Sequence, residues 1–189
     1  MSLTLFQEYF CHPSVFTGGN SYILKAENKY CRKEITMREL FTIEVGVSKP
    51  IVVGQDEKHG RRQLIPITSG ILEGTDPDGK KMHGTVLDGG VDSQIIRPNG
   101  VCELSARYAV CLDDRSSFYI ENNGIRTVPA EYVPAVLRGE FVDPSLYYFA
   151  TTPKFEVYSE SLNWLENHVF VCKATRLTST VKITYFIID

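Results

Sequence analysis

The sequence has few of the residues from which a metal or disulfide framework is built. Its 189 residues include one tryptophan and four histidines, and its five cysteines form no Cys-x-x-Cys pair. A metal site on a β-sheet needs ligands at i and i+2, where side chains share a face, and no His-x-His pair occurs. No metal centre and no cofactor are expected. The cysteines (Cys11, Cys31, Cys102, Cys111 and Cys172) are odd in number, and a chain of this length does not need disulfide staples. Reduced thiols and a cytoplasmic location are the simplest reading.

Long apolar runs are also missing. Nothing approaches the roughly 18 consecutive apolar residues of a membrane helix. The segment Met1 to Phe16 carries Glu8 and no basic residue, so neither a membrane partner nor a signal peptide is expected. Basic excess is absent as well, with 20 Lys and Arg against 23 Asp and Glu and a formal net charge of −3. The densest basic cluster, Lys58 to Arg62, is short and contains a glycine, so no nucleic-acid partner is expected. There is no G-x-S-x-G elbow, and Gly89-Gly90 lacks the Lys-Ser/Thr ending of a phosphate loop.

What the chain does have is period-2 alternation and turns. Residues 1–35 are polar, broken by Pro13 and Gly18-Gly19, and are read as an arm or added strand packing on the main body, residues 36–189. From Leu40 onward, Phe41, Ile43 and Val45 alternate with Thr42, Glu44 and Gly46, as in a half-buried strand. Further strands are expected over 50–53, 63–74, 81–87, 92–97, 101–112, 117–122, 147–152, 155–158, 168–176 and 178–188. Asp76-Pro77-Asp78-Gly79, Asp88-Gly89-Gly90, Pro98-Asn99-Gly100 and Asn122-Asn123-Gly124 are read as turns. Two short helices are expected, Pro129 to Arg138, shortened or kinked by Pro134, and Leu162 to Glu166. Strands so evenly spaced make an all-β meander that closes into a barrel or folds into a sandwich. With 43% hydrophobic residues, 10 Tyr and 10 Phe, one domain can bury a sizeable core. In 101–112 the even positions Cys102 to Leu112 are almost wholly apolar and the odd ones include Glu103, Ser105 and Arg107. One face therefore meets the core, and the other meets water or a neighbouring subunit.

The order of motifs from Leu40 to the C-terminus resembles the bacterial family known as domain of unknown function 3237, or uncharacterised protein family 0311. The matching residues are Pro66-Ile67-Thr68, Gly84-Thr85-Val86-Leu87, Gly89-Gly90-Val91-Asp92, Arg97-Pro98, Ala106-Arg107-Tyr108, Tyr148-Phe149, Thr152-Pro153, Phe155-Glu156 and Trp164-Leu165. The resemblance implies a single antiparallel up-and-down barrel of roughly eight to ten strands and no agreed activity. Ser93, Ser105 and Ala150 depart from the family pattern. If they line a pocket, the ligand differs from that of the relatives.

A polar set remains. Asp92 and Glu156 are candidate acid–base groups, should desolvation raise their pKa. Gln94, Arg107, Tyr108, Tyr119, Asn122 and Trp164 are candidate ligand contacts, with Arg107 suited to a carboxylate or enolate. The competing reading makes Arg107 half of a cross-strand ion pair, Asn122 a turn cap and Trp164 a plug at one barrel end. Parity sets Arg107 opposite the apolar face, and burial of an apolar exterior in a homo-oligomer would reverse that assignment. Three functions stay open: a small-molecule-binding barrel acting by acid–base chemistry without a metal on an organic acid or carbonyl compound, a non-catalytic carrier, and an interaction module with a filled barrel.

Overall fold

The computed structural model describes residues 35–189. The arm or added strand expected over residues 1–35 lies, Ile35 apart, outside the described residues. Ten antiparallel strands form one sheet: β1 (Met37–Val47), β2 (Ile51–Asp56), β3 (Gly60–Thr75), β4 (Lys81–Val86), β5 (Gly90–Ile96), β6 (Val101–Leu112), β7 (Ser117–Thr127), β8 (Tyr148–Val157), β9 (Phe170–Arg176) and β10 (Thr180–Ile188).

The sheet closes through β1, which pairs with β10 on one side and β3 on the other, so that Ile43 faces both Ile183 and Leu72. β3 is long enough to serve two neighbours. Its second half pairs with β4 and its first half with β5, and both short strands then pair with β6. β4 and β5 thus lie end to end in one slot, and the closed wall has eight positions. β2 pairs only with the start of β3, and all its residues are exposed.

Three of the four expected turns are present, with Gly79, Gly89 and Gly100 at positive φ. The fourth is not a turn. Asn122-Asn123-Gly124 lies inside β7, which runs on to Thr127. Gly124 is there because of a close approach, since a Cβ at that position would collide with the Ala150 carbonyl and the Thr151 side chain of β8. Similarly, β8 is one strand where Pro153 suggested two. The pairing of β8 with β9 covers only Ala150 and Thr151, so the proline falls where that ladder has already ended.

The first expected helix is shortened to α1 (Val133–Leu137), with Pro134 in its first turn and Gly139 at positive φ just beyond its end. A 3₁₀ turn follows at Pro144–Leu146, and a 3₁₀ segment at Glu160–Leu165 stands for the second helix. Among the described residues no helix is long and apolar enough to cross a membrane.

Alternation divides the side chains between lumen and exterior, and the lumen itself has two halves. At the end where β6 passes into β7 it is aromatic and filled. Phe41 stacks on Tyr185 with ring centroids 4.6 Å apart, and Phe155 meets Phe170 edge-on at 5.1 Å. The 3₁₀ segment Glu160–Leu165 closes this end, burying Leu162 and Leu165 and setting Trp164 against Phe41 and Phe170. At the other end, where β7 finishes and β3 begins, the inward positions turn polar.

Candidate functional site

The polar half is built by continuing each strand's inward parity past its apolar stretch. On β5 the inward residues are Asp92 and Gln94, and on β7 Ile120 is followed by Asn122 and Arg126. β8 contributes Phe149 and Thr151, β9 ends in Arg176, and β3 begins with Arg61, Gln63, Ile65 and Ile67. All of these except Ile120, Arg61 and Gln63 border a cavity of about 40 Å3, room for roughly three waters. A second chamber of about 50 Å3 lies towards α1, which contributes Val136 and Leu137 to its wall. Ile65, Gln94, Arg126 and Arg176 wall both chambers.

A chain of buried hydrogen bonds fixes Asp92. Gln63 Nε2 donates to Gln94 Oε1 at 2.9 Å, and Gln94 Nε2 donates to Asp92 Oδ2 at 2.6 Å. The Ser105 backbone N–H donates to Asp92 Oδ1 at 3.2 Å. Because Gln94 Oε1 also accepts from the Cys102 thiol at 3.7 Å, the amide has one orientation that satisfies all of its neighbours.

Burial raises the pKa of the Asp92 carboxyl above the ordinary aspartate value. The donors from Gln94 and Ser105 and the charges of Arg126 and Arg176 oppose that shift without cancelling it. Burial likewise pushes Cys102 up to about 11 and Cys172 up to about 12, so both thiols stay protonated at neutral pH. Arg176 is lowered, first by burial and then by the charge of Arg126.

Several groups here lack partners. Arg126 is 8% exposed, forms no salt bridge with another described residue, and lies 5.6 Å over the Phe149 ring. Its Nε is buried without an acceptor among the described residues, as is Arg61 Nε; Gln63 Oε1 and Asn122 Oδ1 lack a donor there, and Thr151 Oγ1 lacks a partner. All five of these atoms lie around one end of the lumen. At the boundary between the halves, the Tyr108 and Tyr185 hydroxyls share a hydrogen bond of 2.8 Å.

The structure brings together four of the expected residues: Asp92, Gln94, Tyr108 and Asn122. It sends the other four elsewhere. Arg107 is on the outer face of β6, where its Nε pairs with Glu121 Oε1 at 3.4 Å. Tyr119 and Glu156 are cross-strand neighbours on the same outer wall, and the Glu156 carboxylate accepts from the Tyr158 hydroxyl. Trp164 belongs to the filled end. The reason is common to the first three: Tyr108, Ile120 and Phe155 face inward, so the residues next to them face outward. Ser93, Ser105 and Ala150 share that outward parity, so the departures from the family pattern lie outside the lumen. Sequence reasoning missed Arg61, Gln63, Arg126, Thr151 and Arg176. Among the described residues no group of three His, Cys, Asp or Glu is placed to hold a metal.

The model of the family described as protein of unknown function (DUF3237) matches residues 35–188. The chain belongs to the DUF3237 family. A UPF0311 protein of Clostridium acetobutylicum is 56% identical over 154 residues, 82% of this chain and 94% of that protein. A crystal structure of a protein with unknown function from the same organism superposes with a TM-score of 0.75 at 54% identity, covering 83% of this chain and 99% of that one. A β-barrel-like protein from Acinetobacter baumannii superposes with a TM-score of 0.71 at 30% identity, covering 85% and 99%. The motif order read from the sequence, the barrel and the family thus agree.

Proposed function

We propose that the polar half of the barrel binds a small organic acid or carbonyl compound, with Asp92 as its acid–base group. One observation carries this reading: Arg126 holds a buried charge without a carboxylate partner among the described residues, beside a cavity bordered by an aspartate whose proton affinity burial has raised. An uncompensated ion inside a protein costs several kcal/mol. A ligand carboxylate or enolate oxygen supplies the missing partner.

The chemistry follows from the charges. When a carbonyl compound loses an α-proton, negative charge develops on its oxygen, and fixed guanidinium groups in a dry site stabilise that charge. Asp92 takes the proton when ionised and returns it when protonated. Ligand binding also tunes it. An anion beside Arg126 and Arg176 offsets the two charges that hold the Asp92 proton affinity down, so that affinity rises when the site fills.

The test is a screen of small organic acids and ketones for compounds that raise the melting temperature, followed by incubation of the hits in D2O. We expect wild-type protein to exchange the α-protons of a hit, and Asp92→Asn to bind it without exchange. Binding with no exchange or conversion by the wild type leaves a carrier and removes the acid–base role. A hit that binds Arg126→Met as tightly as wild type is bound elsewhere, and the lumen reading fails.

A further inference from the structure

The charge inside the polar half is larger than a single acid group can balance. Arg61, Arg126 and Arg176 approach from β3, β7 and β9 and all line the chamber beneath α1. None of them forms a salt bridge with another described residue. Among the described residues lining either chamber, Asp92 is the one carboxylate. Even with Asp92 ionised, the buried Arg126 and the half-buried Arg61 and Arg176 leave two positive charges uncompensated at this end of the lumen. The Nε atoms of Arg61 and Arg126 are both buried and both lack an acceptor. Guanidinium groups that are structural at such depth normally fork onto a carboxylate, as Arg97 does on Glu103 at 2.7 and 2.9 Å on this barrel's exterior.

The two chambers divide this surplus. Arg126 and Arg176 wall both, whereas Arg61 belongs only to the outer one. The inner chamber, with Asp92 and Asn122, fits a reacting acid or carbonyl group, and the outer one has no acidic residue in its wall. From this division we infer that the ligand is a dianion, with one oxyanion group in the inner chamber against Arg126 and a second, carboxylate or phosphate, in the outer chamber against Arg61. The inference rests on the binding role proposed above and adds the class of ligand. A monoanion leaves one guanidinium charge uncompensated. A neutral ligand leaves two.

The experiment compares α,ω-dicarboxylates from malonate to adipate with the monocarboxylates of matched length, and includes inorganic phosphate, using the full chain and calorimetric titration. At least one dicarboxylate should bind about tenfold more tightly than its monocarboxylate, the gain expected of one added charge-assisted contact. Arg61→Met should erase that preference, so that dicarboxylate and monocarboxylate bind the variant alike. Arg126→Met should weaken both. Phosphate competing for the outer group, with its affinity lost in Arg61→Met, identifies a phosphate-bearing ligand rather than a dicarboxylate. Monocarboxylates and dicarboxylates binding wild type equally would overturn the dianion inference and leave the binding site standing, a comparison that requires no variant to fold. If none of the probes binds, the binding role itself fails, and the inference with it.

Discussion

The two halves of the barrel lumen obey opposite rules. In the aromatic half each ring meets other rings. Phe155 alone touches Phe118, Phe170 and Tyr185 at centroid distances of 5.8, 5.1 and 6.1 Å, and the 3₁₀ segment carrying Leu162 and Leu165 seals the end. In the polar half, buried side-chain atoms keep donors and acceptors unanswered by any described residue. A packed core satisfies itself; a site keeps partners in reserve. Stability and function are therefore expected to sit in different halves, and substitutions in each should separate them.

The largest effect is expected for Phe155→Ala. Phe155 is 6% exposed and central to the ring cluster, and deleting a buried ring costs about 3–5 kcal/mol. Denaturant unfolding should show a lower midpoint with an unchanged slope, and ligand affinity should survive wherever the variant is folded. A loss below about 1 kcal/mol would mean that the filled end is not the seat of stability.

Arg126→Met is expected to act in the opposite direction. Methionine fills much of the same volume against Phe149 and removes a buried charge that forms no salt bridge with another described residue. Unfolding should become harder by about 1–3 kcal/mol, as when buried ions give way to apolar residues. Ligand binding should be lost at the same time. A destabilised variant would show that Arg126 holds the fold together, and the contrast between the halves would disappear.

Much of this contrast was legible in the alternation, and the failures have physical causes. Even positions of β6 mark the lumen face correctly, down to Tyr108. Asp92, Gln94 and Asn122 were found as members of a polar set on strands. Arg126 was lost because Asn122-Asn123-Gly124 carries a strong local turn signal, and ending β7 there detached the arginine from its strand. The close approach of β8 overrides that signal, and only the paired structure contains it. Arg107 and Glu156 were chosen for their chemistry although the apolar residues beside them, Tyr108 and Phe155, already fixed them outside. Arg61 and Arg176 stand at strand ends, where alternation has too few residues left to establish a face. Charge convergence from β3, β7 and β9 is a property of closure, which no single segment encodes.

The smallest effect is expected where sequence chemistry was most tempting. Arg107 and Glu121 face each other across β6 and β7 at 3.4 Å, with side chains 46% and 40% exposed. Water screens such a pair from both sides, and exposed ion pairs contribute about 0–1 kcal/mol. Arg107→Gln should therefore leave the unfolding midpoint nearly unchanged and should not alter the affinity of any ligand that Arg126→Met abolishes. The paired measurement is the informative one, because the two arginines differ by one strand and by parity, not by chemistry. Equal losses of affinity from both variants would place the ligand on the outer wall and invert the assignment of the two faces.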